Sequence, residues 1–544
     1  MSTDALKLDT SMPSSAAPSS PEAQSAWPRS LLFIVPIAVA TGLVLARASG
    51  VAPTVLKEGN LTVLALLSYL GATAAFVMWM MGRESLLQRI GIGTMAFGYV
   101  MNLAAWGIRW IEYVEFEKTK PTMQAIWHTL PLMEKISHTY PLNNLYDIGL
   151  AFTGFAVLAS LIITTRDKYR FIGAMTMPLA ALTLTLVVFL GSEVTTLQPI
   201  LRSYWRPIHV SIAAISYGVC LVSFGIALLY LLRDGVRIES MALCVAIFGL
   251  VLYATIGDFK VLTTGSYGLG VRWMGSGLNL AGGGSLRATL PGVGALMALG
   301  WLTYAAAAVA LTVYFFRNDS LAQQWGNRLI GAALIVQVLV FGAIFYQMKS
   351  PMDINGAINA NQHQAFGAWL AKRSDIDPTT LAPQQLQAEG ARWLNQNASG
   401  LEISFNSNPV ELAGILTLIA CTAFVALFAW RGKRMLEKLP NLDALDDLTY
   451  KTVSVAFPLL LMMLVTGAVW ANESWGTYWS WDPKETWALV TWLAYAGYLH
   501  TRIVHGWKGR TSAYFAVLGF IFVLFTYLGV SFLLPGLHSY AGVD

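Results

Sequence analysis

The chain has 544 residues, 56% of them hydrophobic and only 12% charged, with a mean hydropathy of +0.55. A soluble protein of this size cannot hide so much apolar surface, which excludes a soluble globular enzyme and implies a polytopic membrane protein. The net charge of +5 is modest, and Lys and Arg fall in short clusters beside apolar runs, an orientation signal rather than a nucleic-acid footprint.

Residues 1–30 are rich in Ser, Ala and Pro, lack periodicity and read as a disordered tail. The first apolar run, 31–48, ends in Ala46-Arg47-Ala48, a faint cleavage-site pattern, but the long polar leader favours a retained helix. Further runs follow at roughly 61–81, 87–108, 143–164, 171–190, 209–232, 239–257, 293–316, 328–347, 409–430, 451–470, 485–504 and 511–532. That makes about thirteen spans, each expected to be an α-helix because backbone polar groups must be satisfied within lipid. The fold class is therefore all-α, a polytopic helical bundle. Cys220, Cys244 and Cys421 all lie inside apolar runs with no C-x-x-C, which argues against thiol exchange, a zinc cage or covalent haem on this chain.

The basic linkers alternate: Arg83/Arg89, Arg166/Lys168/Arg170, Arg233/Arg237, Arg317/Arg328, Arg431/Lys433/Arg434 and Arg502/Lys508/Arg510 all belong to one side, the cytoplasm. The N-terminus is then inside and the C-terminus outside. Arg109, Lys118, Lys120, Arg202 and Arg206 lie on the opposite face and are outvoted. Two outer segments are large. Residues 258–292 are Gly-rich, without G-K-[ST], and read as a flexible loop. Residues 348–408 are polar, with helical spacing around Gln384–Leu394, and read as a small surface subdomain.

The stretch Trp470–Trp487 concentrates Trp470, Trp475, Trp479, Trp481 and Trp487 in one outer segment with Gly476, Asp482 and Pro483. It reads either as an aromatic anchor at the membrane surface or as the seat of a flat apolar ligand with a wet edge. Parity puts His209, which opens a span, and His538, which follows the last one, on that same face. Neutral imidazole is the usual protein ligand of haem iron, and two can fill both axial positions; the competing reading is a pair of ordinary helix-end histidines. His500 falls about 22 Å into a span entered from outside. A buried ionisable group there is a functional candidate, against the alternative of a ring reaching headgroups alongside Arg502. His128, His138, His363 and His505 read as structural or solvated.

The run Trp475-Gly-Thr-Tyr-Trp479-Ser-Trp481-Asp482-Pro-Lys-Glu-Thr-Trp487 resembles the WWD signature of haem-handling proteins in c-type cytochrome biogenesis, and more closely the CcsA (ResC) family of System II. The resemblance covers 439–540, with Tyr498-Leu-His500-Thr-Arg502 and Leu534-Pro-Gly-Leu-His538-Ser-Tyr540, and about 138–232, with Tyr140-Pro-Leu-Asn-Asn-Leu-Tyr146 and Tyr204-Trp-Arg-Pro-Ile-His209. The chain thus divides into four regions: a tail 1–30, an N-terminal transmembrane part 31–232, helices 233–438 with the polar subdomain 348–408 where the family has a short connection, and a haem-handling core 439–544. The resemblance implies an external cavity in which His209 and His538 hold the iron of haem b, bound as substrate, with Trp475, Trp479 and Trp481 near the macrocycle and Asp482 capping the loop or binding an amide. His500 would serve a second, intramembrane haem position.

The implied function is transport or presentation of haem to the outer face of the bacterial inner membrane. With a CcsB (ResB)-type partner and a thiol-reducing system, the haem would then be attached to the C-x-x-C-H thiols of apocytochrome c, as part of a cytochrome c haem lyase. The rivals are a haem chaperone without attachment activity and a solute transporter with an aromatic gate; the absence of a convincing internal repeat disfavours the second.

Overall fold

The computed structural model describes residues 30–538 apart from 83, 191–193, 195–196, 257–259, 266, 274–285, 291, 348–350, 375, 405–408 and 438. The expected tail at 1–29 and the residues after His538 lie outside the described residues. Six long helices come first: α1 (Leu31–Ala48), α2 (Glu58–Met81), α3 (Ser85–Thr119), α4 (Leu145–Thr164), α5 (Gly173–Phe189) and α6 (Trp205–Arg233). Four more follow, α7 (Ile238–Thr255), α8 (Val293–Arg317), α9 (Ser320–Gln347) and α10 (Pro409–Leu436). The chain closes with α11 (Leu442–Trp475), α12 (Pro483–Val504) and α13 (Arg510–Leu533), the last containing a π-turn at Phe525–Gly529.

These long helices answer the thirteen apolar runs one for one. Eleven are long and apolar enough to cross a membrane, among the described residues. The other two, α3 and α12, carry charged side chains at the ends where the bundle makes its polar contacts. Several helices outrun the hydrocarbon. α3 continues to Thr119, and α11 runs on to Trp475, so Trp470 and Trp475 are helical rather than part of a loop.

Among the described residues two large hydrophobic cores form, beside two small clusters. The larger joins the first six helices to the last three: Phe152, Leu184, Leu221, Leu460, Tyr495 and Phe520 belong to one buried cluster. The smaller is built by α7–α10 together with a short sheet. Its helices are pinned by a buried polar group in which Gln337 Nε2 donates to Tyr304 Oη at 2.5 Å and Tyr304 lies 2.6 Å from Thr422 Oγ1. Such contacts specify helix pairing where lipid removes the hydrophobic drive.

The segment expected to be a flexible Gly-rich loop is partly sheet. Strands β1 (Tyr267–Trp273), β2 (Leu286–Leu290) and β3 (Leu401–Ser404) form an antiparallel sheet in the order β2-β1-β3. The register pairs Tyr267 with Leu290 on one side and Val271 with Ile403 on the other. Residues 274–285 lie outside the described residues. The polar subdomain adds helices Ala360–Arg373 and Pro383–Gln396, the second over the expected helical spacing.

Polar contacts in the larger core gather at two ends. At one end Arg502 chelates Asp446 through both nitrogens at 2.8 Å, and Arg510 Nε meets Asp234 at 2.6 Å. At the other, fully buried Arg109 donates to Asp147 at 2.9 Å, and Tyr113 donates to the same carboxylate at 2.7 Å. Asp147 also accepts from Asn143 N at 3.0 Å, and Asn143 Oδ1 accepts from Arg206 at 2.6 Å. This relay ties α3 to the start of α4 and to the first turn of α6. Removing one member of a buried pair strands the other charge, so Asp147→Ala is expected to destabilise by about 3–5 kcal/mol. Pairing it with Arg109→Met is expected to recover part of that loss. Unfolding in mixed micelles reads both, and a double variant less stable than Asp147→Ala would refute the assignment.

Candidate functional site

The tryptophan stretch folds as helix, short loop and helix. Gly476, at φ +78°, ends α11 in the left-handed conformation that glycine tolerates. Six residues later Asp482 begins α12 as its N-cap, followed by Pro483 at the first helical position. Asp482 Oδ2 accepts from Lys484 N at 3.0 Å, and Glu485 Oε2 accepts from Asp482 N at 3.3 Å and from Ser480 N at 2.8 Å. This capping box closes the loop rigidly enough to hold Trp481 at φ +60°, a costly conformation for so large a side chain.

The same carboxylate fastens the end of the chain. Leu537 N donates to Asp482 Oδ1 at 2.5 Å, and His538 Nδ1 donates to Asp482 Oδ2 at 2.8 Å. Burial alone would push Asp482 up. The hydrogen bond and charge of His538, with the N–H groups of Lys484 and Leu537, outweigh it and hold the carboxyl below its ordinary value. The stabilisation is present above the ordinary carboxylate range and is lost only as pH falls through the lowered value, so at neutral pH Asp482 is an ionised acceptor.

His209 stands in the first turns of α6 against α11. Its Nδ1 donates to Met463 O at 2.9 Å. Gly467 makes room for the ring: a Cβ there would lie 2.8 Å from His209 Cε1 and 3.0 Å from Nδ1. Trp470 lies between the two histidines, with ring centroids 5.6 Å from His209 and 6.1 Å from His538. Trp475 reaches His538 at 5.1 Å. Met463, Gly467 and Trp470 follow the i, i+4, i+7 spacing of one helix face.

One cavity is lined by His209 and His538 together with Trp470, Trp479, Tyr478, Arg206, Lys484 and Glu485. In each histidine Nδ1 donates to an acceptor that carries no proton, so the neutral form of either ring has its lone pair on Nε2. A metal-binding histidine is oriented in the same way, by a carbonyl or carboxylate on its other nitrogen. Trp470 lines the cavity, and its indole nitrogen is buried without a hydrogen-bond partner. The residue types therefore suit a flat aromatic macrocycle with an iron centre.

The sequence-predicted residues are not all brought together. His209, His538 and Trp479 share the cavity; Trp475 contacts His538 without lining it; Trp481 is exposed and packs edge-on against Trp479 at 5.8 Å. His500 lies elsewhere, exposed within a turn of the far end of α12, with its ring 5.4 Å from His505. That is about 26 Å along the helix from Pro483. Sequence reasoning counted Trp470 within the tryptophan stretch without giving it a site role, and gave none to Gly467, Lys484 or Tyr478. The i, i+4, i+7 face of α11 was the available signal for Trp470 and Gly467.

The chain matches the Cytochrome C assembly protein family over residues 142–279 and 409–538. It is 40% identical over 219 residues to the "Cytochrome c biogenesis protein CcsA" of Guillardia theta, covering 38% of this chain and 72% of that relative. Proteins of the same name from Picosynechococcus sp. and Gloeobacter violaceus are 58% and 57% identical over 104 and 98 residues. Those matches cover 19% and 18% of this chain, and 31% and 29% of the two relatives. The matched residues take in α7 and α10, so the interval between them, 280–408, is narrower than the expected insertion 233–438. With the matched segments meeting at the cavity, this polytopic helical chain belongs to the CcsA family of cytochrome c biogenesis proteins.

Proposed function

We propose that the chain holds haem b as a substrate between His209 and His538 and presents it for attachment to the C-x-x-C-H thiols of apocytochrome c. Family membership supports the coarser role in cytochrome c biogenesis. The observation that carries the finer reading is the pair of imidazoles lining one cavity, each with Nδ1 committed to a proton acceptor. Thioether formation adds each thiol across a vinyl group. The chain contributes positioning and exclusion of water, and the bond-making belongs to thiol and haem. A CcsB-type membrane partner and a thiol-reducing system complete the reading. So does a bacterial inner-membrane location with the tryptophan loop on the periplasmic side. An exposed His500 ring on the flank of α12 is a ligand only together with a group from another chain, which fits a site shared with that partner.

Replacing either His209 or His538 with Gly is expected to cut cytochrome c yield by at least tenfold and to leave an axial position that added imidazole fills. Yield and the haem spectrum, with and without imidazole at matched protein levels, read this; full activity of both variants without imidazole would make them ordinary helix-end histidines. If thioethers form from this chain, a CcsB-type partner and apocytochrome alone, attachment belongs to the complex. If a further ligase is required, the chain is a haem chaperone.

Gly467→Ala drives a methyl into the His209 ring, an overpacking worth about 1–3 kcal/mol. It is expected to lower haem occupancy while the helices still insert, read as Soret absorbance per protein. Unchanged occupancy would show that the His209 seat against α11 is dispensable. A reporter fused after Arg434 is expected in the cytoplasm and one after Asp544 on the opposite side; a cytoplasmic C-terminus would put His538 on the wrong face.

A further inference from the structure

Lys484 lines the cavity that holds both histidines, although it belongs to the second residue of the α12 helix rather than to the tryptophans. Its ammonium donates to Ser531 Oγ at 3.0 Å. Among the described residues it makes no ion pair, while an ammonium has three protons to place. Of the two carboxylates beside it, neither pairs with the ammonium within ion-pair distance, and Glu485 keeps Oε1 buried without a hydrogen bond. Asp482 accepts from His538, Leu537 N and the Lys484 backbone, and Glu485 Oε2 accepts from Ser480 and Asp482. Asp482 attracts the ammonium from beyond ion-pair distance, but burial outweighs that attraction, and a ligand carboxylate arriving through the cavity would relieve the cost.

We propose that Lys484 is the carboxylate-binding residue of this cavity. On the haem reading above, on which this rests, it takes a propionate and so sets which edge of the macrocycle meets the tryptophan loop. Ser531 steers the side chain, and the charge does the recognising. The histidines hold the centre of the ligand, and Lys484 fixes its rotation about the iron axis. That rotation decides where the vinyl groups stand relative to an incoming thiol.

The test compares haem with its dimethyl ester, in which both carboxylates are neutral, by Soret titration of the purified full-length protein. Wild type is expected to bind the free acid about tenfold to a hundredfold more tightly than the ester. Lys484→Met is expected to bind the acid as weakly as the ester and to leave ester binding unchanged, the latter showing that the site is folded. Lys484→Gln carries the same readout where the methionine variant does not fold. Lys484→Arg and Ser531→Ala are expected to keep the preference. Lys484→Met or Lys484→Gln with the full wild-type preference overturns this proposal alone. Wild type that binds neither compound overturns the haem reading and this proposal with it.

Discussion

Three parts of the chain meet at the Asp482 carboxylate: the tryptophan loop that precedes it, the helix α12 that it caps, and the C-terminal segment that follows α13. Each bond is made to an N–H that would otherwise be orphaned, two on the backbone and one on the His538 ring. A neutral side chain of the same shape could cap the helix, but it would not hold an imidazole as firmly as an anion does. The position of His538 therefore depends on the same charge that closes the loop. The cavity wall and one of its two histidines cannot move independently.

The other histidine is placed from the opposite direction. His209 sits in the first turns of α6, whose start is tied through Arg206, Asn143 and Asp147 to the buried Arg109 of α3. Tyr527, in the π-turn of α13, donates to Leu145 O at 2.6 Å and joins that group to the helix that leads to His538. Inside a bilayer such buried ionic contacts are expensive, and they persist here because each partner is satisfied by several others. The relay through Arg109, Asp147, Asn143 and Arg206 lies at the end of the bundle that carries the cavity, where geometry matters most.

Much of this was legible in the sequence, for a physical reason. Lipid leaves the backbone no partner but itself, so hydropathy alone located thirteen helices, and counting them brought His209, His538 and the tryptophans to one end. Hydropathy reports the hydrocarbon and not where a helix stops. It therefore ended the span at Trp470 and left Trp475 in the loop, although α11 continues to Trp475 and brings it against His538. Charge within a motif reads as solvation, which hid Lys484. The sheet was hidden because β1 contains Gly268 and Gly270, and its partner β3 lies more than a hundred residues on. The exposure of His500 depends on the packing of α12, which no pattern in its own helix records.

The interval between the matched segments can be understood from the same constraint. Residues 280–408 contain α8 and α9, an even number of long helices among the described residues, so α10 and everything after it keep the direction they would have had without them. Helices α8 and α9 complete the smaller core with α7 and α10 rather than entering the larger one. The unmatched interval also pairs with matched chain: β2 and β3 flank β1, which lies within the matched residues. An interval that preserves helix parity and packs outside the larger core leaves the contacts among α3, α4, α6, α11, α12 and α13 intact. Those contacts assemble the cavity, and this is why so large an interval is compatible with a site made from residues on both sides of it.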